Sequence, residues 1–127
     1  MKISEIKMFR MFIILCTALV SVNVYAEKKM TKNDAIDVIC AGIGEYAKSV
    51  MTSRQLGENI ANNIAVLNKQ KNMEEPIKSY HREIIYEAYR EPKWSTKENQ
   101  DNAITEFSNK MYMTCADAFQ KELAGLE

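Results

Sequence analysis

The sequence has few residues of the kinds that perform chemistry. It contains one histidine, His81, three cysteines and no Cys-x-x-Cys pair. A serine hydrolase would need His81 as the base for Ser49, Ser79 or Ser108, and no nucleophile-elbow glycine pattern surrounds any of these serines. One histidine cannot build a zinc site, no Asp-rich calcium loop is present, and no haem-attachment motif flanks the histidine. We therefore predict no catalytic residue, no metal site and no cofactor.

The sequence also lacks an excess of either charge, with 17 basic and 17 acidic residues. A nucleic-acid-binding protein needs a basic surface that displaces counterions from phosphates, so no nucleic-acid partner is predicted. The pairs Glu83/Glu87 and Glu87/Glu91 have the four-residue spacing that could place a glycosidase acid and base on one helix face. Basic residues are interleaved with them, and a solvated charged face is the simpler interpretation.

Residues 1–26 have the pattern of a secretory signal peptide. Basic residues precede a short apolar run at 11–22, and residues 24–26 place Val and Ala at the cleavage-determining positions. The run is well short of the roughly 20 residues that span a bilayer as a helix, so no stable membrane anchor is predicted. Met8 and Met11 are alternative starts. We expect a periplasmic or secreted protein.

Cleavage of this leader would remove Cys16 and leave Cys40 and Cys115 in an oxidising compartment. Cys16 lies inside the apolar run and no small residue precedes it, so lipid attachment is not predicted. Two remaining cysteines allow one intramolecular connectivity.

Hydrophobic periodicity predicts that residues 27–127 form one all-α domain, a four-helix bundle-like unit. Apolar residues recur at three- and four-residue steps, and neither two-residue alternation nor a hairpin turn is present. An up-down-up-down bundle and a more irregular orthogonal packing both remain open. The predicted helices cover residues 31–54, 58–69, 76–91 and 95–123.

Local signals place the helix ends. Thr31 followed by Asp34 is typical of a capping box, in which the two residues satisfy each other's backbone amides. The other signals are Gly57 as a left-handed terminator, Pro76 in a first turn, Pro92 as a stop, and Ser95 with Glu98 as a second capping box.

The first and last predicted helices carry apolar stripes that contain the two cysteines. If these helices are antiparallel neighbours, Cys40 and Cys115 fall at one height, at about 1.5 Å per residue. We therefore predict a Cys40–Cys115 disulfide between them, with Gly42 and Gly44 allowing close helix approach. The predicted buried residues are Ile36, Ile39, Cys40, Ile43, Tyr46, Ala47 and Val50 in the first helix, Ile77, Tyr80, Ile84, Ile85, Ala88 and Tyr89 in the third, and Ile104, Phe107, Met111, Cys115, Phe119 and Leu123 in the last.

Aromatic side chains off the main stripes are the interface candidates. Tyrosine and tryptophan are favoured where one end of a side chain is dry and the other is wet, which describes protein interfaces and the rims of bundles alike. Tyr86, Tyr89 and Trp94 are the residues we expect at an interface, and rim packing is the alternative. Methionines could also line an adaptable groove, although core filling is simpler; these are Met51, Met73, Met111 and Met113.

Four features together resemble a known group of proteins: Cys40, the Arg54-Gln55-x-Gly57 turn, the Ala88-Tyr89-x-x-Pro92 helix end and the Phe107 to Cys115 stripe. The chain resembles small uncharacterised exported helical proteins of proteobacteria and their prophages, and this resemblance implies no particular activity. In type it is also similar to the periplasmic acid-stress chaperones, which have a different helix plan and a shorter cysteine spacing.

These observations favour a small non-catalytic protein that binds another envelope or periplasmic protein, as an inhibitor, accessory or stress module. One alternative is an acid-activated periplasmic chaperone, because protonated carboxylates would leave strong positive self-repulsion. Another is a prophage-encoded envelope factor in superinfection exclusion or lysis. A hydrolase acting on peptidoglycan is the enzymatic alternative. The oligomeric state remains open.

Overall fold

The computed structural model describes residues 29–125, which form four α-helices and contain no strand. The helices are α1 (Lys32–Leu56), α2 (Ile60–Asn68), α3 (Glu75–Arg90) and α4 (Lys97–Ala124). The predicted all-α class with four helices is therefore confirmed for this part of the chain. The predicted signal peptide, residues 1–26, lies outside the described residues.

The N-terminus of α1 has the predicted capping box. The Thr31 hydroxyl accepts a hydrogen bond from the Asp34 amide at 3.1 Å, and the Asp34 carboxylate accepts one from the Thr31 amide at 2.9 Å. The hydrogen bond from the Thr31 backbone is the main reason that the pKa of Asp34 lies below its ordinary value of 3.8. The charged form of Asp34 therefore stabilises the first turn of α1.

Acidification is expected to fray this first turn. Because the pKa of Asp34 is depressed in the folded chain, its contribution is present above the ordinary value of 3.8 and is lost as the pH falls through the lower folded value. The protection factors of the Asp34 and Ala35 amides, which correct for the intrinsic pH dependence of hydrogen exchange, should fall in that range. Asp34→Asn should show no such pH step, and equal pH dependence in both proteins would contradict the prediction.

The C-terminus of α1 extends two residues beyond the predicted end at Arg54, to Leu56. Gly57 then ends the helix with a φ of 83°, and its amide donates to the Arg54 carbonyl at 3.0 Å. The predicted glycine terminator is confirmed. The helix is longer because Gln55, predicted to lie in the turn, continues its buried face.

The start of α4 differs from the prediction by one residue. Thr96, not Ser95, is the N-cap, and its hydroxyl accepts from the Asn99 amide at 3.3 Å. The predicted Ser95 and Glu98 capping box is therefore wrong. Both Ser95 and Thr96 carry a hydroxyl that could cap the helix. The position of the preceding backbone decides between them, and Gln55 of α1 holds this backbone by hydrogen bonds to Pro92 and Trp94.

The boundaries of the two shorter helices follow local side-chain chemistry. Helix α2 begins at Ile60, two residues later than predicted, because the Asn59 side chain caps it by accepting from the Ala61 amide at 2.9 Å. Helix α3 begins at Glu75, and Pro76 lies in its first turn as predicted.

Helix α1 packs against α4 on one side and α3 on the other. Helix α4 is antiparallel to it, because Cys115 near the end of α4 meets Cys40 in the first half of α1. Helix α3 is parallel to α1, since the Tyr46 and His81 rings meet in the middle of both helices and Arg54 contacts Glu91 at their ends. Helix α1 is thus the central helix.

Helix α2 packs mainly on α3 and runs antiparallel to it. Asn63 hydrogen-bonds to Tyr89 near the C-terminus of α3. Asn68, which lies farther along α2, hydrogen-bonds to Arg82, about two turns earlier in α3. The chain therefore runs up, down, up and down, in the spatial order α4, α1, α3, α2. This order leaves a gap between α4 and the end of α3.

The residues of the predicted stripes are buried or half-buried, except for two that are exposed. Ile39 is 50% exposed and Ile77 is 51% exposed, although both were predicted to be buried. Ile39 lies about two turns before Tyr46, level with the start of α3, where none of the four described helices covers it. The hydrophobic core of residues 29–125 consists of Cys40, Ile43, Ala47, Val50, Met51, Leu67, Ile84, Ile85, Ala88, Phe107, Met111 and Cys115.

Helices α1 and α4 approach closely at Gly44. A Cβ atom there would lie 3.5 Å from the Ser108 carbonyl oxygen, and the Ser108 hydroxyl donates to the Gly44 carbonyl at 2.9 Å. Gly42 faces open space, so the predicted close approach holds for Gly44 alone. One turn away, the Sγ atoms of Cys40 and Cys115 are 2.08 Å apart, at disulfide distance between the first and last helices.

Candidate binding groove

A groove of about 400 Å³ lies between the first half of α4 and the connection from α3 to α4. Met51 of α1 and Phe107 of α4 form part of its lining and are buried. Trp94 and Pro92 contribute from the connection. The other lining residues are Glu91, Asn99, Asn102, Ala103, Glu106 and Lys110.

The connection that carries Trp94 is fastened by a buried glutamine. Gln55, 2% exposed, donates from Nε2 to the Pro92 carbonyl at 2.9 Å and accepts at Oε1 from the Trp94 amide at 2.9 Å. Its Nε2 also lies 3.4 Å from the Met51 sulfur. One side chain therefore satisfies backbone groups on both sides of Lys93. Both bonds are partly shielded from solvent, so without Gln55 these backbone groups would lose a partner that water replaces only in part.

Two further bonds hold the same connection. The Arg54 Nε–H donates to the Glu91 carbonyl at 3.2 Å, and the Gln100 side chain donates to the Trp94 carbonyl at 2.8 Å. Both backbone groups of Trp94 are thus bonded, while 42% of the residue remains exposed. The indole is a partly exposed aromatic group on an anchored backbone, an arrangement that lowers the entropy cost of binding.

The charged residues of the groove are unequally paired. Lys110 Nζ lies 3.5 Å from a Glu91 carboxylate oxygen and 3.8 Å from a Glu87 oxygen, and Arg90 also pairs with Glu87. Glu106 makes no ion pair with any residue in the range 29–125. Lys110 therefore links α4 to the end of α3, and Glu106 is the uncommitted charge of the lining.

Of the three predicted interface residues, only Trp94 lines the groove. The Tyr89 hydroxyl donates to the Glu58 carbonyl at 2.9 Å and accepts from Asn63 at 2.9 Å, so it ties α3 to the start of α2. Burial is the main cause that raises the pKa of Tyr89. Tyr86 is half-buried and also lies outside the groove lining. The three aromatic residues therefore do not line one groove.

His81 takes part in packing between α1 and α3. Its ring meets the Tyr46 ring edge to face, with centroids 4.2 Å apart, and its Nδ1–H donates to the Ile77 carbonyl at 2.8 Å. Ser108, one of the serines considered as a nucleophile, donates to Gly44 on the opposite face of α1. The structure therefore does not bring His81 and Ser108 together.

The methionines considered for an adaptable groove are dispersed. Met51 alone lines the groove, where it is fully buried against Gln55. Met111 belongs to the core and Met113 is exposed on α4. The groove thus has one methionine in its floor and is not a methionine-rich surface.

Gln55, Glu106 and Lys110 were not identified from the sequence as site residues. A signal for Gln55 exists, because it follows Met51 by four residues on the stripe that Ala47 and Met51 define. A polar residue on an apolar stripe before a glycine terminator indicates a buried hydrogen-bonding role. Glu106 and Lys110 carry no comparable signal, since exposed charges on a long helix are ordinary.

Residues 29–125 contain neither a candidate metal-binding group nor a membrane-spanning helix. No three His, Cys, Asp or Glu side chains come together in a group that could hold a metal ion. None of the four helices combines the length and the apolar character needed to cross a membrane.

No known protein family, no curated protein and no solved structure matches this chain. The predicted resemblance to exported helical proteins therefore stays a prediction.

Proposed function

We propose that this protein is exported and acts without catalysis, by binding another protein of the cell envelope through the groove beside Trp94. It would serve as a small inhibitor, accessory or stress module for that partner. The observation that carries this proposal is the half-exposed indole on an anchored backbone, next to a groove with a buried apolar floor.

The energetics of interfaces support this role for Trp94. Tryptophan is enriched among the few residues that supply most of the affinity of a protein interface, and these residues lie in or beside well-packed pockets. A groove of about 400 Å³ accommodates one or two side chains of a partner. The surrounding polar residues, Asn99, Asn102 and Glu106, would form the hydrated rim of such a contact.

The cysteine pair supports the proposed compartment. Structural disulfides persist in oxidising compartments, and the Sγ atoms of Cys40 and Cys115 are at bonding distance. The predicted leader at residues 1–26 would deliver the chain to such a compartment. Measuring the mass of the protein recovered from a periplasmic fraction tests this part, because an intact leader would contradict it.

Capture of a partner tests the binding role. The immobilised protein is exposed to periplasmic extract of its host, the retained protein is identified by mass spectrometry, and the purified pair is then titrated calorimetrically. Trp94→Ala is expected to weaken the complex by ~2 kcal/mol or more, about 30-fold in Kd, because it removes a central aromatic anchor.

Leu56→Ala is the matched control. Leu56 is a large apolar residue, 70% exposed, and does not line the groove. Tyr86→Ala tests the second predicted interface residue separately. Equal loss of affinity in Trp94→Ala and Leu56→Ala, or no retained partner at all, would contradict binding through this groove.

A further inference from the structure

The groove has one negative charge in excess and one carboxylate without an ion-pair partner. Its lining contains two carboxylates, Glu91 and Glu106, and one ammonium group, Lys110. The Lys110 ammonium group is already shared between Glu91 and Glu87. Glu106 is therefore available to a cation that enters from outside.

The rest of the lining suits a long cationic side chain. Such a side chain buries its methylene groups on apolar surface while its charged end reaches a polar group. Pro92 and Ala103 supply accessible apolar surface above a floor of buried Met51 and Phe107, and the Trp94 indole in the same lining can stack on a cation. A purely apolar occupant would instead remove Glu106 from water without a partner, which is unfavourable.

We propose that the groove takes an arginine side chain presented by a segment of the partner protein. Arginine suits this lining better than lysine, because its planar guanidinium group stacks on an aromatic face and bonds a carboxylate with two N–H groups. Asn99 and Asn102 add amide oxygens that accept further guanidinium N–H bonds. This inference rests on the proposed function and specifies the chemistry that the groove recognises.

The fluorescence of Trp94 reports directly on this groove, since Trp94 is the only tryptophan in the sequence. The probe is a blocked tripeptide, N-acetyl-Leu-Arg-Leu-amide, titrated into the full protein. Its neutral isostere contains citrulline in place of arginine and keeps the same shape. The arginine peptide should change the Trp94 emission saturably, and the citrulline peptide should bind about tenfold more weakly, equivalent to ~1.4 kcal/mol.

Variants of the protein test the contribution of Glu106. Glu106→Gln removes the charge at an exposed position, so the fold should be retained, and the circular dichroism spectrum checks this. It should weaken the arginine peptide about fivefold, the effect of one exposed charge pair, and leave the citrulline peptide unchanged. Glu122→Gln is the control, because Glu122 is an exposed α4 carboxylate outside the groove.

Equal affinity for the arginine and citrulline peptides, or no effect of Glu106→Gln, would overturn the arginine assignment. Tighter binding of a matched lysine, leucine or glutamate peptide would overturn it in favour of that chemistry. These results are separable from the proposed function. If Trp94→Ala abolishes capture of the partner while Glu106→Gln does not affect it, the groove binds a protein but does not select arginine.

Discussion

Reduction of the Cys40–Cys115 pair is expected to lower the free energy of unfolding by ~4 kcal/mol, the chain-entropy effect of releasing a loop of this length. The two cysteines are 75 residues apart in the sequence, and they join the first helix to the last. Small domains have only ~5–15 kcal/mol of stability in total, so this change is a large fraction of it. Thermal unfolding should shift downward by about 20 °C for a domain of this size.

Urea unfolding followed by circular dichroism, with and without a phosphine reductant, measures this effect. The variant Cys40→Ala/Cys115→Ala should unfold like the reduced protein and should not respond to the reductant. Because the two sulfurs are bonded to each other, a thiol reagent should find no thiol in the oxidised, leader-cleaved protein even after denaturation. Two titratable thiols in the purified protein, or equal stability of the variant and the parent, would contradict the prediction.

Replacement of Gln55 by leucine is expected to lower stability by ~2 kcal/mol, although leucine is apolar and of similar size. The loss arises because the part-buried Pro92 carbonyl and Trp94 amide both lose their partner, and each such hydrogen bond contributes ~1 kcal/mol. Urea unfolding measures the stability, and the Trp94 emission should shift to longer wavelength because the connection loosens. Gln100→Leu, which removes only one partially exposed bond to the Trp94 carbonyl, is the milder control.

Gln55→Glu separates hydrogen bonding from volume. A protonated glutamic acid can donate to the Pro92 carbonyl and accept from the Trp94 amide as Gln55 does, whereas the ionised form cannot donate. The pKa of the substituted carboxyl should therefore rise above its unfolded value of ~4.3. Its stabilising contribution is present below the unfolded value and is lost as the pH rises through the folded one.

This variant should thus be destabilised at neutral pH and should recover part of its stability relative to the parent on acidification. The parent measured under the same conditions provides the reference for other titrating groups. A variant that stays equally destabilised relative to the parent at both pH values would show that shape, not the hydrogen bond to Pro92, decides the role of Gln55. The Gln55→Glu variant should also bind the partner more weakly at neutral pH and recover part of this binding on acidification, because residue 55 positions Trp94.

Most of the secondary structure was predictable because its causes are local. The capping box of Thr31 and Asp34, the left-handed Gly57 and the first-turn Pro76 all act through neighbouring backbone groups. The wrong N-cap of α4 has the opposite cause, because it was decided by a contact that is not local. Ser95 and Thr96 are equivalent as local caps, and their choice depends on a backbone that contacts another helix.

The candidate groove was predictable only in part. Trp94 was identified because tryptophan is favoured where one end of the side chain is dry and the other is wet, as at bundle rims and protein interfaces. Tyr89 was assigned to the same interface, but its hydroxyl bonds to α2, and no sequence pattern distinguishes these two outcomes. Glu106 and Lys110 acquire their roles from the distance between α3 and α4, which is a property of the packing.

The amino-acid sequence by itself determined four helices, their approximate limits and the meeting of Cys40 with Cys115, since periodicity, capping and helix rise act within one segment or between two matched stripes. The tertiary structure alone decided that α1 is central, that Ile39 is left uncovered and that Gln55 faces inward to hold Trp94. These outcomes depend on which helix faces are covered by which neighbours, and no single segment contains that information.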